Sequence, residues 1–156
     1  MNALRRICYI VILLVVFKSP SGQNTSRYLS LFKQAEDIYY DNNASDVKDS
    51  IALATYLKVI ALHTGKPDSI LWVSNFKAGI YLQTAGRFRK AIPYFKTAIS
   101  FYQTVPAVAE EHYYQPNLYL GNSYYSESML DSAVFYYKQA ENIANTHPQV
   151  ERIERL

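Results

Sequence analysis

From Arg27 onward the apolar residues recur at steps of three and four. Leu29, Phe32, Ala35 and the pair Ile38-Tyr39 fall on one face of a helix. Asp41-Asn42-Asn43 interrupts the pattern. It resumes over residues 46–62, with Ile51, Ala54, Leu57 and Ile60-Ala61 on one stripe. Gly65-Lys66-Pro67 closes this second helix, because Gly accepts a left-handed cap and Pro cannot continue the turn. Asp68-Ser69 offers N-cap chemistry to a third helix over residues 70–84, and Ala85-Gly86 marks the next turn. A fourth helix is predicted over residues 88–103, with Pro93 early enough that its missing N–H costs little. A fifth is predicted to start at Val108 or Pro116 and end at Ser126, and a sixth to cover residues 131–145. Val150, Ile153 and Leu156 keep an apolar spacing after Pro148, so residues 149–156 read as a capping helix or the start of a further repeat. No stretch alternates with the period of two that marks a half-buried strand. The expected fold class is all-α.

The helices repeat in pairs. Leu120-Gly121-Asn122-Ser123-Tyr124 is followed by Ala133, Tyr137 and Ala140. Ala78-Gly79-Ile80-Tyr81-Leu82 is followed by Ala91, Phe95 and Ala98. A weaker copy has Ala52, Tyr56 and Val59 after Ile38-Tyr39-Tyr40. Two antiparallel helices on a short turn must approach closely. Gly79 and Gly121 therefore leave space where the second helix crosses, with Ala91 and Ala133 as small partners. Phe95 and Tyr137 fill the gap one turn on, Tyr124 supports the first helix, and Ala98 and Ala140 admit the next pair. One pair cannot bury its apolar face alone, so neighbours stack.

These residues resemble the tetratricopeptide (TPR) repeat, whose first helix carries Leu-Gly-x2-Tyr and whose second carries Ala-x3-Phe/Tyr-x2-Ala. The resemblance covers residues 28–148 and implies a right-handed solenoid of antiparallel helix pairs with about three repeats, at 28–63, 70–103 and 108–146. There are departures. Ala52, Ala91 and Ala133 are 39 and 42 residues apart, where these repeats recur about every 34. Leu82 stands where Tyr is usual, and Ser128 where a turn Gly is usual. The longer period also brings HEAT-like pairs into consideration, and the Gly/Ala pattern favours TPR. More narrowly, Tyr119-Leu120-Gly121-Asn122-Ser123-Tyr124-Tyr125 and the helix from Asp131 resemble the N-terminal region of secreted bacterial TPR proteins that continue into a caspase-like CHAT domain.

The N-terminus changes the charge picture. Arg5-Arg6, an apolar run of eleven residues over 7–17, and Lys18-Ser19-Pro20-Ser21-Gly22 form the pattern of an export signal. The run is shorter than the ~20 residues a spanning helix needs. Cleavage is expected near Gly22, giving a signal peptide at 1–22 and a repeat array at 23–148, with an uncleaved anchor as the alternative. The expected location is the periplasm or the cell exterior, with membrane contact only through the signal. Removing Arg5, Arg6 and Lys18 takes sixteen basic residues to thirteen, equal to the thirteen acids. Neutrality argues against a nucleic-acid footprint, which needs a basic patch. The single Cys8 lies inside the signal, so the processed chain has no thiol to pair, attack or bind metal. Asn24-Thr25-Ser26 and Asn43-Ala44-Ser45 match the glycosylation sequon and are read as chance.

Chemistry is sparse. His63, His112 and His147 have no His or Cys at ligand spacing, so no metal is expected. There is no nucleophile elbow and no phosphate-binding Gly-rich loop, so neither catalytic residues nor cofactors are expected. Fifteen tyrosines suit half-buried helix faces. In TPR arrays the first helices of successive pairs line a groove, which places Phe76, Ile80, Gln83, Tyr119, Asn122 and Tyr125 as groove candidates. A TPR that clamps a C-terminal carboxylate uses Lys, Arg and Asn there, and only Asn122 remains. The expectation is a non-catalytic scaffold binding a protein or peptide. The alternative is the sensory or regulatory section of a larger exported enzyme or signal transducer.

Overall fold

A computed structural model describes residues 20–148 except 42, 44, 102, 103 and 106–108. The export segment at 1–19 and the segment at 149–156 lie outside the described residues. Among the described residues six α-helices follow in order: α1 (Pro20–Tyr39), α2 (Asp46–Leu62), α3 (Ser69–Thr84), α4 (Phe88–Ser100), α5 (Tyr114–Ser126) and α6 (Leu130–Thr146). A 3-10 turn, Glu110–Tyr113, leads into α5. Among the described residues there is no strand, so the chain is all-α.

The boundaries follow from local chemistry. The Ser45 hydroxyl accepts from Lys48 N at 3.3 Å, and Asp68 Oδ1 accepts from Leu71 N at 2.8 Å, satisfying donors that α2 and α3 leave open. α1 reaches back beyond Arg27 to Pro20, the first described residue, so Pro20, Ser21 and Gly22, assigned above to the signal, are helical. α4 stops at Ser100, short of the expected 103. α5 starts at Tyr114, between the two expected positions, with Pro116 in its first turn, where an N–H would have no partner.

The turns after α3 and α5 share one geometry. Gly86 has φ +70°, with Gly86 N on Gln83 O at 2.9 Å and Arg87 N on Leu82 O at 2.8 Å. Ser128 has φ +60°, with Ser128 N on Tyr125 O and Met129 N on Tyr124 O, both at 2.9 Å. A serine Cβ is crowded in that left-handed conformation. Ser128→Gly should therefore raise stability by about 0.5–1 kcal/mol. The check is the midpoint of urea unfolding; an unchanged or lower midpoint would contradict this account of the turn.

Each helix packs against its neighbours in the chain. Ala35, Ala52 and Ala78 meet around the fully buried Tyr56, joining α1, α2 and α3. A second cluster centres on Phe95, with Trp72, Phe76, Leu120 and Ala133, and joins α3 to α6. Leu53 and Tyr94 pack on both clusters, so the core is continuous. Small residues stand where helices cross because backbones can meet closely only where side chains are short.

Candidate binding site

Lys77 is the one charged residue of α3, and it is 7% exposed. Its ammonium donates to both carboxylate oxygens of Glu36 on α1, at 2.9 and 3.0 Å. It also lies 3.7 Å from the centroid of the Tyr39 ring and 4.5 Å from that of Tyr40. A ring face is negative, so the cation is held by two aromatic rings as well as by the carboxylate. The Tyr56 hydroxyl, from α2, donates to Glu36 Oε1 at 2.6 Å. Burial and that carboxylate push the Tyr56 phenol well above the usual tyrosine range, and burial raises Tyr39 as well. Both stay protonated donors at neutral pH. The cluster ties three helices together through charge-assisted hydrogen bonds.

Beside this cluster is a hollow of about 270 Å³ lined from α1 by Glu36 and Tyr39, from the turn after it by Tyr40, from α3 by Trp72, Val73, Phe76 and Lys77, and from α5 by Gln115. Lys77 and Glu36 cancel each other, so the lining has no net charge. Tyr40 is 71% exposed and forms its open side. Trp72 and Phe76 line the same hollow, their rings tilted to each other with centroids 5.6 Å apart.

The six groove candidates separate into three groups. Phe76 is mostly taken up by packing, with its ring 6.1 Å from Phe95 and 5.9 Å from Tyr119, although it also lines the hollow. Ile80 and Tyr119 pack on the same cluster, Tyr119 stacking on Phe95 at 5.8 Å. Gln83 bridges α3 to α5, its amide nitrogen donating to Tyr119 O and Ser123 Oγ, both at 2.8 Å. Asn122 and Tyr125 are exposed on α5, and Asn122 Oδ1 accepts from Tyr137 Oη at 2.9 Å. The candidates thus do not form one surface.

The packing residues lie at the helix crossings. A Cβ on Gly79 would sit 2.5 Å from Phe95 Cε1, and one on Gly121 2.5 Å from Tyr137 Cδ1. Ala91, Ala98, Ala133 and Ala140 are buried in the α4 and α6 faces, and Tyr124 stacks on Tyr136 at 5.5 Å. Glu36, Tyr39, Tyr40 and Lys77, which build the hollow, were not among the candidates. A single lysine inside an otherwise uncharged helix was the available signal, since a buried lysine requires a partner.

Among the described residues no His, Cys, Asp and Glu cluster is placed to hold a metal ion. His63 Nε2 lies 3.8 Å from Asp68 Oδ2 and His147 Nε2 3.9 Å from Glu111 Oε2, both loose pairs. Also among the described residues, no helix is long and apolar enough to cross a membrane. No family model matches the chain, and no curated protein matches it.

Proposed function

We propose that this protein is an exported, non-catalytic interaction scaffold, a TPR-type right-handed solenoid that holds a peptide segment in the hollow between α1, α3 and α5. The observation that carries the reading is the lining of that hollow. The end of α1 and the face of α3 contribute aromatic side chains around an ion pair that is already satisfied, and α5 closes the hollow with Gln115. Such a surface offers stacking and van der Waals contact to an extended or helical peptide. It does not offer the free cation that a carboxylate clamp requires, because Lys77 is committed to Glu36. The repeated Gly/Ala pattern supports the TPR assignment, and the N-terminal charge and apolar run support export.

The test is peptide capture by the protein and its Tyr40→Ala variant. Tyr40 is largely solvent-facing, so its removal leaves the core intact. Captured peptides should bind about tenfold more weakly to the variant, the loss of one aromatic contact of roughly 1.4 kcal/mol. Equal binding would rule out the hollow.

A second reading has its own support. Leu130 and Val134 on α6 are 57% and 51% exposed. An apolar face of that kind fits further helical structure packed beside α6, as in the regulatory section of a larger exported enzyme or signal transducer. The mass of the protein recovered from its own cells separates the two readings.

A further inference from the structure

A second hollow, of about 510 Å³, lies where the end of α4, the 3-10 turn, the start of α5 and the second half of α6 meet. It shares no lining residue with the hollow around Lys77. Its size falls in the range of roughly 300–1,000 Å³ typical of small-molecule sites. Ile99, Tyr113 and Ile143 give it an apolar base. Phe135, 55% exposed, stands edge-on to Tyr136 at 5.0 Å and 89°, and Tyr136 is held in turn by stacking on Tyr124. Phe135 therefore presents a ring beside a neighbour that cannot easily turn away.

The polar groups are of a particular kind. Phe135, Gln139 and Asn142 follow at steps of four and three, so they share one face of α6. Glu110 faces them from the 3-10 turn. Among the described residues no hydrogen bond or ion pair engages the side chains of Glu110, Gln139 or Asn142. Two amides offer both donors and acceptors, and a carboxylate offers acceptors alone. Among the described residues no lysine or arginine lines the hollow, so the described lining does not favour an anion. An apolar ring platform with amides and a carboxylate at its edge suits a ligand that has hydroxyl donors and an apolar face.

We propose that this hollow binds an uncharged saccharide of one or two rings. The carbon face of a sugar ring lies on Phe135, and its hydroxyls bond Glu110, Gln139 and Asn142. This site is independent of the peptide-binding reading. The experiment is calorimetric titration of the native protein with glucose, N-acetylglucosamine, maltose and cellobiose, and with glucose 6-phosphate as the anionic comparison. At least one neutral sugar should bind saturably. Phe135→Ala and Gln139→Ala, both at solvent-reachable positions, should each weaken it about tenfold, and Tyr40→Ala should leave it unchanged. Glucose 6-phosphate should bind more weakly than glucose. Absence of saturable binding for all four neutral sugars would overturn the proposal. So would binding that neither variant weakens, or a preference for the phosphorylated sugar.

Discussion

Gly79→Ala is expected to destabilise the protein by about 2 kcal/mol, whereas Gly121→Ala should change it by less than about 1 kcal/mol. Both glycines face an aromatic ring of the following helix. A Cβ at Gly79 would stand 2.5, 2.7 and 2.9 Å from three atoms of Phe95, and one at Gly121 would stand 2.5 Å from two atoms of Tyr137. These separations are too short, so the ring must move in either case. Phe95 is fully buried and flanked by the rings of Phe76 and Tyr119, so its displacement disturbs the α3–α5 contact as well. Overpacking of that kind costs about 1–3 kcal/mol, sometimes more, against about 1 kcal/mol gained by replacing Gly with Ala inside a helix. Tyr137 is only partly buried, and its outward swing sacrifices little beyond the bond to Asn122. There the propensity gain offsets most of the strain. Urea unfolding of both variants measures the difference. Phe95→Leu should be less damaging in the Gly79→Ala background than in the native chain, because the smaller side chain vacates the space. Equal effects of the two glycine substitutions would refute this assignment of the crossings.

Lys77→Ala should be more damaging still, at about 3 kcal/mol. It leaves Glu36 with Tyr56 as its remaining hydrogen-bond partner, and the Glu36 side chain is only 22% exposed. Breaking a buried pair costs about 3–5 kcal/mol because an unpaired charge stays behind. Partial exposure of Glu36 brings the expectation to the lower end. The loss of the ammonium over Tyr39 and Tyr40 adds to it, by about 0.5–1 kcal/mol. The double variant Glu36→Gln/Lys77→Met should recover most of the loss, since no uncompensated charge remains. Stability of the two single variants and the double variant, read from the same unfolding curves, gives the coupling directly. Failure of the double variant to recover would contradict this account, because Gln removes the unpaired charge and Met keeps the packing of the lysine stem.

The sequence by itself determined the all-helical class and the approximate span of most helices. Those properties depend on interactions three and four residues apart and on caps such as Ser45 and Asp68, all legible in one dimension. The turn at Ser128 was visible as a departure from Gly, and its left-handed backbone is the physical content of that departure. Helix ends were less legible. α1 reaches back past Arg27 as far as Pro20, although Ser21, Gly22 and Asn24 are weak helix formers.

The tertiary structure alone decided which helix faces meet and which stay open. Glu36 and Lys77 are 41 residues apart, and no periodicity links them. Their pairing depends on how far α3 is rotated about its axis when it packs on α1 and α2. That rotation turned Phe76 and Ile80 of α3 inward, and the packing of α5 turned Tyr119 inward while Asn122 and Tyr125 stayed in solvent. A helical pattern assigns a residue to a stripe, but burial of that stripe depends on the neighbour that covers it. The hollow beside Lys77 lies between helices distant in sequence, and the one beside Phe135 gathers residues from four successive elements. Their linings are set by non-local packing, which the order of residues along the chain leaves open.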